Sequence, residues 1–200
     1  ADHVLTLINE LRARPPVPLT MDDQIDLTRA EAWARFSKGD LPTAERLLRA
    51  AQQQFPRESS PFNTLADIYL ATRNFTNAVP FTNVLAVYED QLTQQPNNSS
   101  ALVSLAFLLI SAGQHEKALP HLERAVKLKP DDANALFNRG LCNLHLAQIV
   151  PAKVDAARVD AALSDFVQVS SLTPKTYRAF WGIAECYRLK KNKTQALKYY

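Results

Sequence analysis

The stretch "HEKALPHLERAVKLKPDDANALFNRGL" (residues 115–141) reads as one helix closing, a proline stop, and a second helix opening. Pro130 ends the first helix because a proline cannot continue the hydrogen-bond ladder, and "PDD" (130–132) supplies acidic residues for the next helix start. Nearly the same text returns along the chain. A small residue recurs at Ala32, Ala66, Ala106, Gly140 and Ala184, with intervals of 34, 40, 34 and 44 residues. A second column of alanines recurs at Ala44, Ala78, Ala118, Ala162 and Ala196. Pro56, Pro130 and Pro174 each follow that second column by twelve residues.

A packing argument explains the columns. Two antiparallel helices approach closely only where small side chains leave room, so one small residue on each helix marks the crossing. Larger apolar residues surround the crossing at helical spacing, as in Phe62, Leu65 and Tyr69, or Leu102, Leu105 and Leu109, or Phe180, Ile183 and Tyr187. The turns between paired helices read "KGDLPTA" (38–44), "RNFTNA" (73–78), "AGQHEKA" (112–118) and "KNKTQA" (191–196). Gly39 and Gly113 suit the left-handed residue that ends a helix, with asparagine expected in that role elsewhere.

The pattern resembles the tetratricopeptide repeat, a helix–turn–helix unit of about 34 residues. The resemblance covers residues 25–200, and "SALVSLAFLLISAGQHEKALPHLERAVKLKP" (100–130) is its closest segment. It implies an all-α, right-handed superhelical solenoid of five repeats (25–58, 59–98, 99–132, 133–176 and 177–200), preceded by an N-terminal helix and Pro-rich linker over 1–24.

Two repeats are long. The six extra residues of the second are assigned to the end of its second helix, "VYEDQLTQQP" (87–96). The ten extra of the fourth lie in "LAQIVPAKVDAARVD" (146–160), where Pro151 suits a first turn and predicts a helix over 152–172, about two turns early. Growth of the loop alone is the other arrangement. Pro80 and Pro120 are placed near the first turn of an outer helix. Arg139 and Asn143 stand where other repeats are apolar; Arg139 needs a carboxylate such as Asp160 or Asp165, or water. Residues 2–14 are amphipathic, with Val4, Leu7, Ile8 and Leu11 on one face. They fit a cap over the end of the array, or a segment folded back into its groove. The chain opens at Ala1 without a methionine, which reads as a processed or trimmed start, and stops at Tyr200 half-way through the last outer helix.

The search for chemistry is negative. There is no phosphate-cradling glycine loop, GxSxG, HExxH or CxxC. His3, His115, His121 and His145 lie on different helices or turns, and His115 and His121, six apart, occupy different faces. Neither a metal nor a cofactor is expected. Cys142 and Cys186 fall at packing positions and are read as reduced core thiols. Net charge of +3 is too small to imply nucleic acid, although residues 175–200 hold seven Lys or Arg against Glu185 alone. No apolar run reaches the roughly 18 residues of a membrane span. Compartment stays open.

What remains is surface. In this family the first helices of successive repeats line a concave face that takes extended peptides or helices. Carried onto this chain, the lining includes Trp33, Phe36, Asn63, Phe107, Phe137, Asn138, Leu141 and Trp181. Aromatic groups in one stripe suggest anchors for an apolar peptide or helix, and Asn63 and Asn138 suit bonds to its backbone. Positions that grip chaperone C-termini in one subtype hold Arg29, Trp33, Thr64, Ser100 and Ser104 here, so that clamp is missing. The expectation is a non-catalytic protein-interaction scaffold. The alternatives are a regulatory or targeting arm of a larger, possibly enzymatic protein, or a self-assembling module.

Overall fold

The computed structural model describes residues 1–15, 17–76, 81–149 and 154–200, without the side chains of 73–76 and 81. Ala78, Pro80, Pro151 and part of the 149–160 insertion lie wholly outside the described residues. Those described form eleven α-helices and no strand. The chain divides into two compact units, Ala1–Pro96 and Asn97–Tyr200.

The first unit holds α1 (Asp2–Ala13), α2 (Met21–Ser37), α3 (Leu41–Gln54), α4 (Ser60–Thr76) and α5 (Phe81–Gln94). The second holds α6 (Ser99–Ser111), α7 (His115–Leu128), α8 (Ala133–Leu146), α9 (Ala156–Leu172), α10 (Tyr177–Leu189) and α11 (Lys193–Tyr199). Sequence neighbours pack together within each unit, and α2 touches α4, α6 touches α8, and α8 touches α10. First helices therefore stack side by side, with the second helices behind them.

Local chemistry sets the helix ends. Thr20 and Asp23 close a reciprocal capping box at α2, and Asp40, Asn98, Asp132, Asp155 and Asn192 accept from backbone N–H groups of the helices they precede. Gly39 (φ 81°) and Gly113 (φ 74°) take the left-handed turn expected of them. Among the described residues asparagine does not take that part: in the last turn Lys191 does (φ 57°), with Asn192 engaged as the cap of α11. Pro120 lies inside α7, deeper than its first turn.

Both small columns are fully buried at their described alanines, apart from a sliver of Ala196. Leu48, Leu122 and Phe166, four residues beyond second-column alanines, are fully buried, each contributing about 1.5–3 kcal/mol. Phe166 shows how tight the crossing is. A Cβ built on Gly140 would sit 2.8 Å from its ring, and one built on Gly182 would sit 2.7 Å away. Gly140 belongs to the first column, whereas Gly182 lies outside it; the α9 ring uses both gaps.

The second repeat differs from expectation. α4 is described to Thr76, ten residues past Ala66, where α6 stops five past Ala106, and α5 (Phe81–Gln94) lies forty residues beyond α3 (Leu41–Gln54). The six extra residues thus precede α5 and do not follow it. Val84, Tyr88 and Gln91 then occupy the inward positions that Ala44, Leu48 and Ala51 hold in α3. Pro96, twelve beyond Val84, matches Pro56, Pro130 and Pro174. In the fourth repeat, α9 starts six residues before Ala162, where α7 starts three before Ala118. The gain is about one turn, not two, and most of the insertion lengthens the connection between α8 and α9.

Gly182→Ala should lower stability by about 1–3 kcal/mol through overpacking against Phe166. Combining it with Phe166→Leu should recover part of that loss relative to the additive sum, as read by urea denaturation of the four-member cycle.

Candidate functional site

In the first unit the outward stripes of α2 and α4 carry Trp33, Phe36 and Asn63. Trp33 is 38% exposed and meets Phe36 edge-on at 5.6 Å between ring centres, while Phe36 is half-buried. Asn63 is exposed. Arg29 ties the two helices, donating from Nε to Thr64 Oγ1 (2.9 Å) and from Nη1 to Asp26 (2.9 Å). Asp67, adjacent on α4, is pushed above the usual carboxylate range by partial burial, with Arg29 opposing.

In the second unit the corresponding stripe crosses α6, α8 and α10. Phe107 is 53% exposed and Trp181 45%, with Leu141 half-buried on the helix between them. Phe137 departs from the expected exposure: only 8% of it reaches solvent. Its ring packs against Phe166 at 5.6 Å, and the Arg178 guanidinium lies 4.4 Å above its outer face. The helical spacing that placed Phe137 in the stripe is right, but Gly140 draws α9 so close that the ring turns into the core. Asn138 is also mostly buried. Arg178 itself, which no motif or spacing singles out, is the exposed group at that point.

Ion pairs hold these helices in register. Asp165, buried on α9, takes both Arg139 Nε (2.9 Å) and Nη2 (2.6 Å). That resolves the pair of candidate carboxylates, because Asp160 is engaged by Lys190 at 2.6 Å. Asn143 accepts from Arg158. Glu185 on α10 is held below the usual carboxylate range, chiefly by Arg188 and further by the Tyr200 hydroxyl.

The N-terminal helix α1 runs antiparallel to α2. Asp2 pairs with Lys38 at one end, and Arg12 reaches Glu31 and Thr28 at the other. Those α2 positions form a stripe distinct from Arg29, Trp33 and Phe36, so α1 is not folded over the aromatic stripe. Glu31 is buried between Arg12 and Arg35, so its charge is answered from two sides.

His115 and His145 are not isolated. Their rings stack at 3.8 Å with 10° between planes, where the α6–α7 turn meets the end of α8. A shallow cavity of about 230 Å³ adjoins them, lined also by Glu116, Lys117, Leu146 and Ile149. Among the described residues no three His, Cys, Asp or Glu side chains are placed to hold a metal ion. Burial, and then the neighbouring His115, lower the pKa of His145. Cys142 and Cys186 are buried free thiols, each pushed up to about 12 by burial.

Stacked helix pairs with matched small columns define a helical-repeat protein. A tetratricopeptide repeat model matches residues 29–99 and 148–200, and a second TPR repeat model matches 108–146, so the chain belongs to the tetratricopeptide repeat family. Repeats of this family generally mediate protein–protein interaction. The chain is 33% identical over 137 residues to the CTR9 homolog of Arabidopsis thaliana, covering 66% of this chain but 12% of that protein. Among solved structures it resembles MamA from Desulfovibrio magneticus RS-1 (TM-score 0.65, 19% identity, 90% of this chain and 93% of that one). It also resembles YrrB, described as a TPR protein with an unusual peptide-binding site (TM-score 0.64, 21% identity, 98% and 88%). Among the described residues no helix is long and apolar enough to cross a membrane.

Two outcomes test the contacts that shape this site. Asp165→Ala, which strands Arg139, should cost about 3–5 kcal/mol in chemical denaturation. The lowered pKa of His145 means that the unfolded chain takes up its proton first as pH falls. Its contribution is therefore complete above about 6.5 and is lost as pH drops through the folded value. His145→Gln should flatten that acid-side decline in stability, measured between neutral and mildly acid pH.

Proposed function

We propose that this chain is a non-catalytic interaction scaffold whose first-helix face binds a peptide or helix through apolar anchors. The observation that carries this reading is the exposure of Phe107 and Trp181 on α6 and α10, with half-buried Leu141 between them. Large rings cost free energy when left in water, and a row of them on adjoining helices is a typical anchor surface. Trp33 and Phe36 with Asn63 form a comparable patch in the first unit, and Asn138 stands beside the second. Phe137 contributes by supporting Arg178 and not by direct contact.

A second reading makes the chain a regulatory or targeting arm. It is supported by the small share, 12%, that the matched stretch takes of the CTR9 homolog. Both readings use the same face, and they differ only in what else is attached to it.

The test is affinity capture by the intact chain beside Phe107→Ala/Trp181→Ala, with helicity first shown equal by circular dichroism. A partner held by the parent should bind the double variant far more weakly, by roughly thirtyfold for each ring at about 2 kcal/mol. Equal capture by both proteins would move the site off this face.

A further inference from the structure

We infer that the peptide accepted by the α6–α8–α10 face carries an acidic side chain next to its apolar anchor, and that Arg178 is the residue that reads it. This rests on the groove reading above and adds the chemistry of the partner. The Arg178 guanidinium carbon lies over the Phe137 ring, 4.4 Å from its centre, and the residue is exposed. No carboxylate among the described residues comes within 4 Å of its nitrogens, whereas other arginines of the same unit are paired: Arg139 holds Asp165 and Arg188 holds Glu185. A guanidinium held over an aromatic ring by cation–π attraction keeps its charge and still has N–H donors to offer a carboxylate.

The surrounding charge favours the same ligand. The outward stripes of α6 and α8 carry no charged side chain; Ser104, Phe107, Asn138 and Leu141 are typical of them. Glu185, the acidic residue of the α10 stripe, is already occupied by Arg188 and the Tyr200 hydroxyl. Apart from the Glu185–Arg188 pair the face therefore presents uncharged side chains and one unspent positive group, and a peptide that buries apolar anchors there meets Arg178 without a local counter-charge.

Asn138 supplies an independent observation. It follows Phe137 in α8 and is only 9% exposed, yet its amide makes no hydrogen bond to another described residue and is not sealed from solvent. A mostly buried amide without a partner is costly unless something completes it. A peptide backbone group beside the acidic residue would do so, since an amide can donate and accept at once.

The experiment selects a random displayed-peptide library on the intact chain, on Arg178→Glu and on Phe107→Ala, all shown to be folded by circular dichroism. The parent should enrich peptides pairing Asp or Glu with large apolar residues. Those peptides should bind Arg178→Glu roughly ten- to hundredfold more weakly, the loss expected for a charged hydrogen bond. Arg178→Gln, which keeps a planar head over Phe137, should show a smaller loss in the same direction if charge reversal perturbs the fold. Their affinity should also fall as salt is raised. Enrichment of apolar peptides without an acidic preference, lost on Phe107→Ala but not on Arg178→Glu, would overturn this inference and leave the groove reading standing. No enrichment, or enrichment insensitive to Phe107→Ala, would overturn both.

Discussion

Close approach of antiparallel helices is the constraint from which the rest of this structure follows. The pairs α2–α3, α6–α7, α8–α9 and α10–α11 each bury a small residue from both helices at the crossing, and where those are small enough a large side chain from a neighbouring helix fills the space left. Phe166 between Gly140 and Gly182 is the extreme case, since neither glycine could carry a methyl group without displacing the ring. That contact links α8, α9 and α10 into one packed layer. It also decides which way Phe137 faces, because a ring 5.6 Å from Phe166 is drawn off the surface. A packing requirement in the core therefore determines what the outer face can offer a partner.

Polar groups follow the same logic at longer range. Arg139 would be a liability in a helix seam without Asp165, and Glu31 would be one without Arg12 and Arg35. These pairs sit between helices and favour a single register over sliding. Stitches from Gln95 to the Pro56 carbonyl (2.9 Å) and from Gln168 to that of Pro130 (2.8 Å) act similarly, tying a proline turn to the end of a later helix. They are modest in energy and specific in geometry.

The helical repeat was legible because its signals are local and redundant: small columns, turn glycines and prolines recur at fixed offsets. The register of the second repeat was misread because Ala78 matched the alanine column by identity. The better signal was Pro96 with Val84, which repeats the twelve-residue offset of the other prolines. Similarly, Pro151 predicted an early helix start, but Asp155 caps α9 and the helix begins at Ala156. On the candidate face, Trp33, Phe107 and Trp181 follow from carrying the family's lining positions onto this chain, and all three are exposed. Phe137 is not, and its burial was not legible, since it depends on the partner of Gly140 in a different helix. The His115–His145 stack was equally hidden, because thirty residues separate groups that the turn geometry brings to 3.8 Å.

Arg178 shows why such juxtapositions matter for recognition. In sequence it is one cation in a basic terminal segment, indistinguishable from Lys190 or Arg188. In the fold Lys190 is joined to Asp160 and Arg188 to Glu185, so their charges are largely answered within the unit. Arg178 rests on an aromatic ring instead, an arrangement that fixes its position without neutralising it. A surface with exposed rings alone would accept many apolar segments with little discrimination. Adding one fixed, unanswered charge penalises partners that present a cation at that point, and the penalty grows as the peptide displaces water from the face. Specificity on this face thus derives from which positive groups the fold has left unpaired, and the count of positive residues alone does not reveal it.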